Sequence, residues 1–274
     1  MSIRSVAKKD MLDVRRAKIV WFVGGLYTLF AVLFFYFGQA GQSPNVVREL
    51  QTLSFIGALF LPLVALVAAY LAIAGERESG SIKYLLSVPN TRRDVVLGKF
   101  LSRGAVVAGA VLLAFGIGAM LTALWYPSLE PRIFAGVVAL TVVFALAYVA
   151  IAIGISAATR TRSRAMAGAV GFYFVANVLM LFPGLSIVGL FRYVLNDRLG
   201  LGLSDHLFEF VRMLSPTVAY DTALPLAAPD ETRFPVPEDV PVYLEPEAGL
   251  VVLIGWLVIP IVLGLWWFDR ADLG

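Results

Sequence analysis

The 274 residues include no cysteine and a single histidine, and only 15% of them are charged. The missing cysteines exclude a disulfide framework, thiolate metal sites and a cysteine nucleophile. The shortage of charge excludes a water-soluble enzyme, because soluble chains carry roughly 25% charged residues. What takes the place of charge is apolar: 59% of the chain, with a mean hydropathy of +0.84. The reading is an all-α integral membrane protein. A bilayer core of about 30 Å needs roughly 20 apolar residues per crossing. A chain of this length therefore holds several spans and no large soluble domain.

Six uncharged stretches are long enough to cross: Ile19 to Gly38, Leu53 to Ala74, Gly104 to Tyr126, Ile133 to Ala158, Ala165 to Phe191 and Gly249 to Phe268. Every Lys, Arg, Asp and Glu falls outside them, as the several kcal/mol cost of a charge at the bilayer centre requires. The segments between the spans alternate in basic content. One set holds 16 of the 22 Lys and Arg, the other 6. By the positive-inside rule both termini are expected in the cytoplasm, in the cell membrane. The segment 192–248 carries ten acids, four bases and seven prolines and reads as an extracytoplasmic excursion. The first span is longer than a signal-peptide core and reads as a retained anchor. Basic residues thus report orientation, and no nucleic-acid partner is expected.

Residues 1–18 have an amphipathic pattern, with Ile3, Ala7, Met11 and Val14 at helical spacing among Arg4, Lys8, Lys9, Arg15 and Arg16. That suits a helix in the inner headgroup layer. A solvated charged leader is the plainer alternative. Pro62, Pro183-Gly184 and Pro260 predict kinks or breaks, with a short return piece after Pro183. Ala150, Gly154 and Ala158, and similarly Gly104, Ala108 and Leu112, form small-residue faces for close helix packing. Asn177 and Tyr148 are among the few polar groups at depth, read as an interhelical hydrogen bond before a substrate contact. His206, with Asp205 and Glu209, reads as a solvated helix face, and no metal site is assigned.

The loop 75–103 has its own grammar. Ser81 is placed to cap a short helix whose Ile82, Leu85 and Leu86 share one face, and Pro89 stops it. Thr91 and Asp94 make a capping box that restarts the chain into the third span. A short helix displaying apolar residues across the membrane face can pass a push into two spans, although an ordinary capped loop has the same grammar. No Walker A sequence is present: Gly98-Lys99 is followed by Phe100, and Arg93 stands where the first glycine belongs.

The run Glu76-x-Glu78-x-Gly80-Ser81-Ile82-x-x-Leu85-Leu86-Ser87-x-Pro89, then Arg92 and Gly98-Lys99, resembles the signature of type-2 ABC exporter permeases. Ser81 stands where that family commonly has Thr, and Asn90-Thr91 replaces a hydrophobic-Ser pair. The resemblance is nearest to the permeases related to the membrane subunit of the nitrous-oxide-reductase copper-maturation transporter. It implies six spans, an amphipathic leader and a cytoplasmic coupling helix that docks on a nucleotide-binding subunit. The residues it marks for ATPase coupling are Glu76, Glu78, Gly80, Ile82, Leu85, Leu86, Pro89, Arg92 and Lys99. ATP and Mg would then belong to the partner ATPase, this chain being no enzyme and holding no cofactor. A second permease, most simply another copy, would complete an exporter with the lipid bilayer around it. A secondary carrier or channel, or a membrane assembly factor working without an ATPase, is the alternative.

Overall fold

A computed structural model of the chain describes residues 3–16, 18–41, 44–87, 90–179, 182, 186–228 and 241–271, with side chains described outside 12–23. The described residues are helical, without a strand. In order they are α1 (Ile3–Arg16), α2 (Lys18–Gln39), α3 (Val46–Ala69), α4 (Ala74–Glu78), α5 (Ile82–Ser87), α6 (Arg92–Trp125), α7 (Pro131–Ala158), α8 (Arg162–Tyr173), α9 (Ile187–Arg192), α10 (Asp205–Met213), α11 (Pro216–Ala223) and α12 (Pro246–Asp269). Four are long and apolar enough to span a bilayer: α3 with its continuation to Glu78, α6, α7 and α12. Two of the six expected crossings fall on shorter helices: α2, whose apolar part runs from Gly24 to Gln39, and α8 with its π-helical turn Phe174–Val178.

Helix α7 is the axis of the bundle. Its residues from Phe144 to Ile153 are almost wholly buried, as for a helix surrounded by neighbours on every side. It meets α12 backbone to backbone: a Cβ on Gly154 would lie 2.5 Å from the Pro260 carbonyl oxygen, and one on Gly264 would lie 2.8 Å from the Gly154 Cα. Without lipid-excluded hydrophobic drive, helices in a bilayer gain most from such close van der Waals approach. Ala150 is buried on the same face, whereas Ala158 is exposed at the helix end. On α6, Gly104 meets Leu146 of α7 while Leu112 faces outward. Pro62 and Pro260 both lie inside helices and interrupt neither. Pro183-Gly184 fall outside the described residues.

One end of the bundle gathers α1, α4, α5 and the ends of α7 and α12, the segments richest in Lys and Arg; we call it the basic end. The opposite end is built by residues 187–228. There α10 begins beside Tyr243, whose hydroxyl lies 3.1 Å from His206 Nδ1, just before α12 starts. It finishes at Leu214, whose carbonyl accepts the Trp256 indole N–H at 2.7 Å. Trp256 is ten residues along α12, roughly 15 Å at 1.5 Å per residue. The chain then turns through Ser215-Pro216 and α11 climbs back, Ala227 reaching Gly136 near the start of α7. Helices α10 and α11 are thus a re-entrant hairpin with its tip at mid-depth.

Three polar groups at depth meet at that tip. Tyr148 Oη donates to Asn177 Oδ1 at 3.1 Å and lies 2.8 Å from the Thr217 hydroxyl, which also donates to Asn177 Oδ1 at 2.6 Å. Asn177 sits on the π turn, which rotates it toward the hairpin. Asn177 and Tyr148 therefore bind each other through hydrogen bonds, with Thr217 as a third member.

Candidate functional site

The basic end is held by an exchange of helix caps. An α-helix leaves its first N–H and last C=O groups unpaired; here residues 73–92 supply or receive the missing partners for several helices at once. The Ser156 hydroxyl of α7 accepts from the Ile73 and Ala74 amides, each at 3.0 Å, and starts α4. Arg77 answers by donating to the Ala157 and Thr159 carbonyls at 3.0 and 2.8 Å, closing α7. The Glu78 carboxylate accepts the Arg162 amide and starts α8. Arg92 donates to the Phe268 carbonyl and, at 3.0 Å, to that of Ala271, closing α12. Cations at helix C-termini and an anion at an N-terminus each match the helix dipole. Arg77 and Arg92 also lie 5.8 and 5.3 Å from the centroid of the buried Phe268 ring.

Beside the caps lies a buried ion network. Lys99, 2% exposed, places Nζ 2.7 Å from Glu76 Oε1 and 3.0 Å from Asp10 Oδ1. Arg103 donates to both Asp10 oxygens at 2.9 and 3.1 Å and to the Ala68 carbonyl at 2.9 Å, and Ser102 donates to Asp10 Oδ2. Burial by itself would raise the Asp10 carboxyl, but Lys99 and Arg103 hold it below the ordinary carboxylate range. The network joins α1, α4 and α6. Gly98 makes room for it, since a Cβ there would lie 2.7 Å from Val6 Cβ. Helix α1 thus runs along the first turns of α6 with Val6 and Asp10 inward, while Arg4, Lys8 and Lys9 stay exposed.

Between these anchors stands α5. Gly80, at φ +75°, turns the chain out of α4, a conformation costing a non-glycine residue roughly 1–2 kcal/mol. The Ser81 hydroxyl does not cap α5: it lies 3.4 Å from the Glu76 carbonyl and 2.9 Å from the Ser79 hydroxyl, turned back toward α4. The capping box at the start of α6 is complete, with Asp94 N donating to Thr91 Oγ1 at 3.1 Å and Thr91 N to Asp94 Oδ2 at 2.9 Å.

The apolar face of α5 points the opposite way from the expected display. Ile82 is 2% exposed, and Leu85 and Leu86 are half-buried against the bundle. The reason is the helical spacing itself: Ile82, Leu85 and Leu86 share one face, and that face packs inward on the available apolar surface. The outward face carries Lys83, Tyr84 and Ser87, with Tyr84 80% exposed. Tyr84 was not singled out by the sequence pattern because the pattern leaves that position unspecified. Asp10, Arg77 and Arg103 were also missed. The one available signal for Asp10 was that it is one of two acids, with Asp13, in a strongly basic leader. Of the sequence-marked residues, Glu76 and Lys99 are brought together, Glu78 and Arg92 hold helix ends, Gly80 turns the chain, and Pro89 lies outside the described residues.

The profile of the ABC-2 family of transporter proteins matches residues 4–273, nearly the whole chain. The chain belongs to that family. Among curated proteins it is 32% identical over 136 residues, 48% of this chain and 50% of the relative, to the probable ABC transporter permease protein NosY of Pseudomonas aeruginosa. It is also 32% identical over 130 residues, 46% of this chain and 47% of the relative, to the protein of the same name from Stutzerimonas stutzeri. The chain spans about half the length of the curated relatives it matches. As an ABC-2 family member with these apolar helices it is a multi-pass membrane permease of an ABC system.

Proposed function

We propose that this permease is driven by a separate nucleotide-hydrolysing subunit that docks on the outward face of α5 and that it exports its cargo. The observation that carries the reading is Tyr84: a large, exposed aromatic on a short helix whose supports are tied to α6, α7, α8 and α12. An exposed aromatic flanked by Lys83 and Ser87 fits the buried anchor of a protein interface. A load on α5 passes covalently to α3 and α6. It passes through Arg77, Glu78 and Arg92 to the ends of α7, α8 and α12. Nucleotide-driven closure of paired ATPase subunits would then move these helix ends together and open the outer, hairpin-covered half of the bundle. Two copies of the permease would serve the two ATPases, with the basic end and both termini in the cytoplasm.

The test is affinity purification of tagged protein from native membranes in mild detergent, followed by identification of the accompanying chains and an ATPase assay. A stoichiometric Walker-containing partner is expected, and Tyr84→Asp should lose both the partner and the stimulated hydrolysis while inserting normally. Normal stimulation with Tyr84→Asp would refute docking at this face. Substrate flux in liposomes containing this chain alone would replace ATP drive with the carrier reading.

A further inference from the structure

Between α9 and α10, at the end of the bundle away from α5, lies a cleft of about 270 Å³. On the α10 side Phe208, Glu209 and Arg212 line it, three residues that share one helix face by their i, i+1, i+4 spacing. Helix α9 supplies Val188, Gly189 and Arg192. Phe208 is buried and Val188 half-buried, an apolar floor, whereas both arginines are exposed. An apolar cavity of about 150 Å³ takes a benzene-sized hydrocarbon. This cleft therefore has room for a small hydrocarbon and a polar group besides.

The charges of the cleft are unequally committed. Arg192 is held in place, its guanidinium paired with Asp205 and 5.3 Å from the centroid of the Phe208 ring. A guanidinium has five N–H donors, so that pair leaves part of its fork open. Glu209 lies on the flank toward segment 241–245, where it accepts the Tyr243 hydroxyl at 3.3 Å and sits 3.7 Å from His206 Nδ1. Arg212, between Glu209 and Phe208 around the helix, makes no hydrogen bond or ion pair among the described residues. Asp221 of α11 acts on it from beyond ion-pair distance. Arg212 is also seven residues into α10, roughly 10 Å from its start, and two residues before Leu214, which meets Trp256 of α12. A cation that deep is costly where it faces hydrocarbon. The cleft thus has an uncommitted positive charge at its middle, above an apolar floor.

We propose that the α9–α10 cleft binds an organic oxyanion, a phosphate or carboxylate bearing a hydrocarbon group, with the anionic end between Arg212 and Arg192 and the hydrocarbon on Phe208 and Val188. The site stands apart from the basic end and does not rest on ATPase coupling. The test is a ligand-observed NMR titration of the purified full chain, delipidated in non-ionic detergent, with butyl phosphate, butanol and butylammonium. Wild type should bind butyl phosphate in preference to the other two. Arg212→Gln, at an exposed position, should weaken butyl phosphate about tenfold, the order of one lost hydrogen bond to a charged group, and leave butanol unchanged. Val188→Trp should occupy the floor and lower butyl phosphate binding as well. Native mass spectrometry of the chain before delipidation identifies the source of the anion. Release of phospholipid by butyl phosphate supports the site with a lipid headgroup as its ligand, and binding without lipid release supports it with a soluble anion. Equal binding of butanol and butyl phosphate by wild type overturns the proposal, as does undiminished binding by Arg212→Gln. Tighter binding of butylammonium would assign the cleft to Glu209 and overturn it too.

Discussion

Replacing Lys99 with methionine tests whether the basic end behaves as one mechanical unit. The lysine is the cation shared by two carboxylates, 2.7 Å from Glu76 and 3.0 Å from Asp10, and is itself 2% exposed. Removing one partner of a buried pair costs about 3–5 kcal/mol, because the orphaned charge stays buried. Here the loss is graded. Asp10 keeps Arg103 and Ser102, whereas Glu76, 28% exposed on its side chain, keeps partial access to water. The low end, about 3 kcal/mol, is therefore expected, and most of it falls on the attachment of α1. Hydrogen exchange of the amides from Arg4 to Met11 reads that attachment directly. At 1.4 kcal/mol per factor of ten, protection should fall about 150-fold. Asp10→Asn combined with Lys99→Met removes both charges of one pair and should recover part of the loss. Unchanged protection in Lys99→Met would refute the idea that this network holds α1 to α6.

The same network has a defined pH dependence. The folded Asp10 pKa lies below its unfolded value, near 3.9, so its contribution is complete above that value and is lost as pH falls through the lower, folded one. Protection of α1 should stay flat from pH 8 to 5 and decline only in stronger acid, a decline that Asp10→Asn should abolish. Gly154→Val would drive side-chain atoms into the Pro260 carbonyl and should destabilise the α7–α12 pair by at least the 1–3 kcal/mol of overpacking, seen as a lowered unfolding midpoint in detergent. Asn177→Leu removes the acceptor shared by Tyr148 and Thr217; at about 0.6 kcal/mol per bond in a membrane, it should loosen exchange at Ser215 to Tyr220 without unfolding the bundle. Leu85→Asp with Leu86→Asp should lower stability as well as stimulated ATPase, because both side chains are half-buried, whereas Tyr84→Asp should lower only the latter.

Composition and charge spacing were enough to mark an all-helical membrane chain, because a bilayer admits no charge at its centre and every span must announce itself as an uncharged run. The capping box of Thr91 and Asp94 was legible for a similar reason: both partners lie within four residues. The direction of α5 was not. The triplet Ile82, Leu85 and Leu86 defines a face in sequence, but whether that face looks out or in depends on α4, α6 and α7 meeting beneath it. The segment expected as the fifth crossing showed the same limit of local pattern. An apolar run from 165 to 191 cannot reveal a π turn at Asn177, which answers to Tyr148 and Thr217 on other helices.

What the sequence determined by itself was what short-range chemistry enforces: apolar runs of bilayer length, the alternation of basic segments, the glycines that permit close approach and the caps whose partners are near in the chain. The tertiary structure decided which charged groups meet. Asp10 finds Lys99 across 89 positions, Arg77 the end of α7 across 80 and Arg92 the end of α12 across 176. Such pairs form because buried charges and unpaired helix ends must find partners, and the partner is supplied by the packing of whole helices rather than by neighbours in sequence.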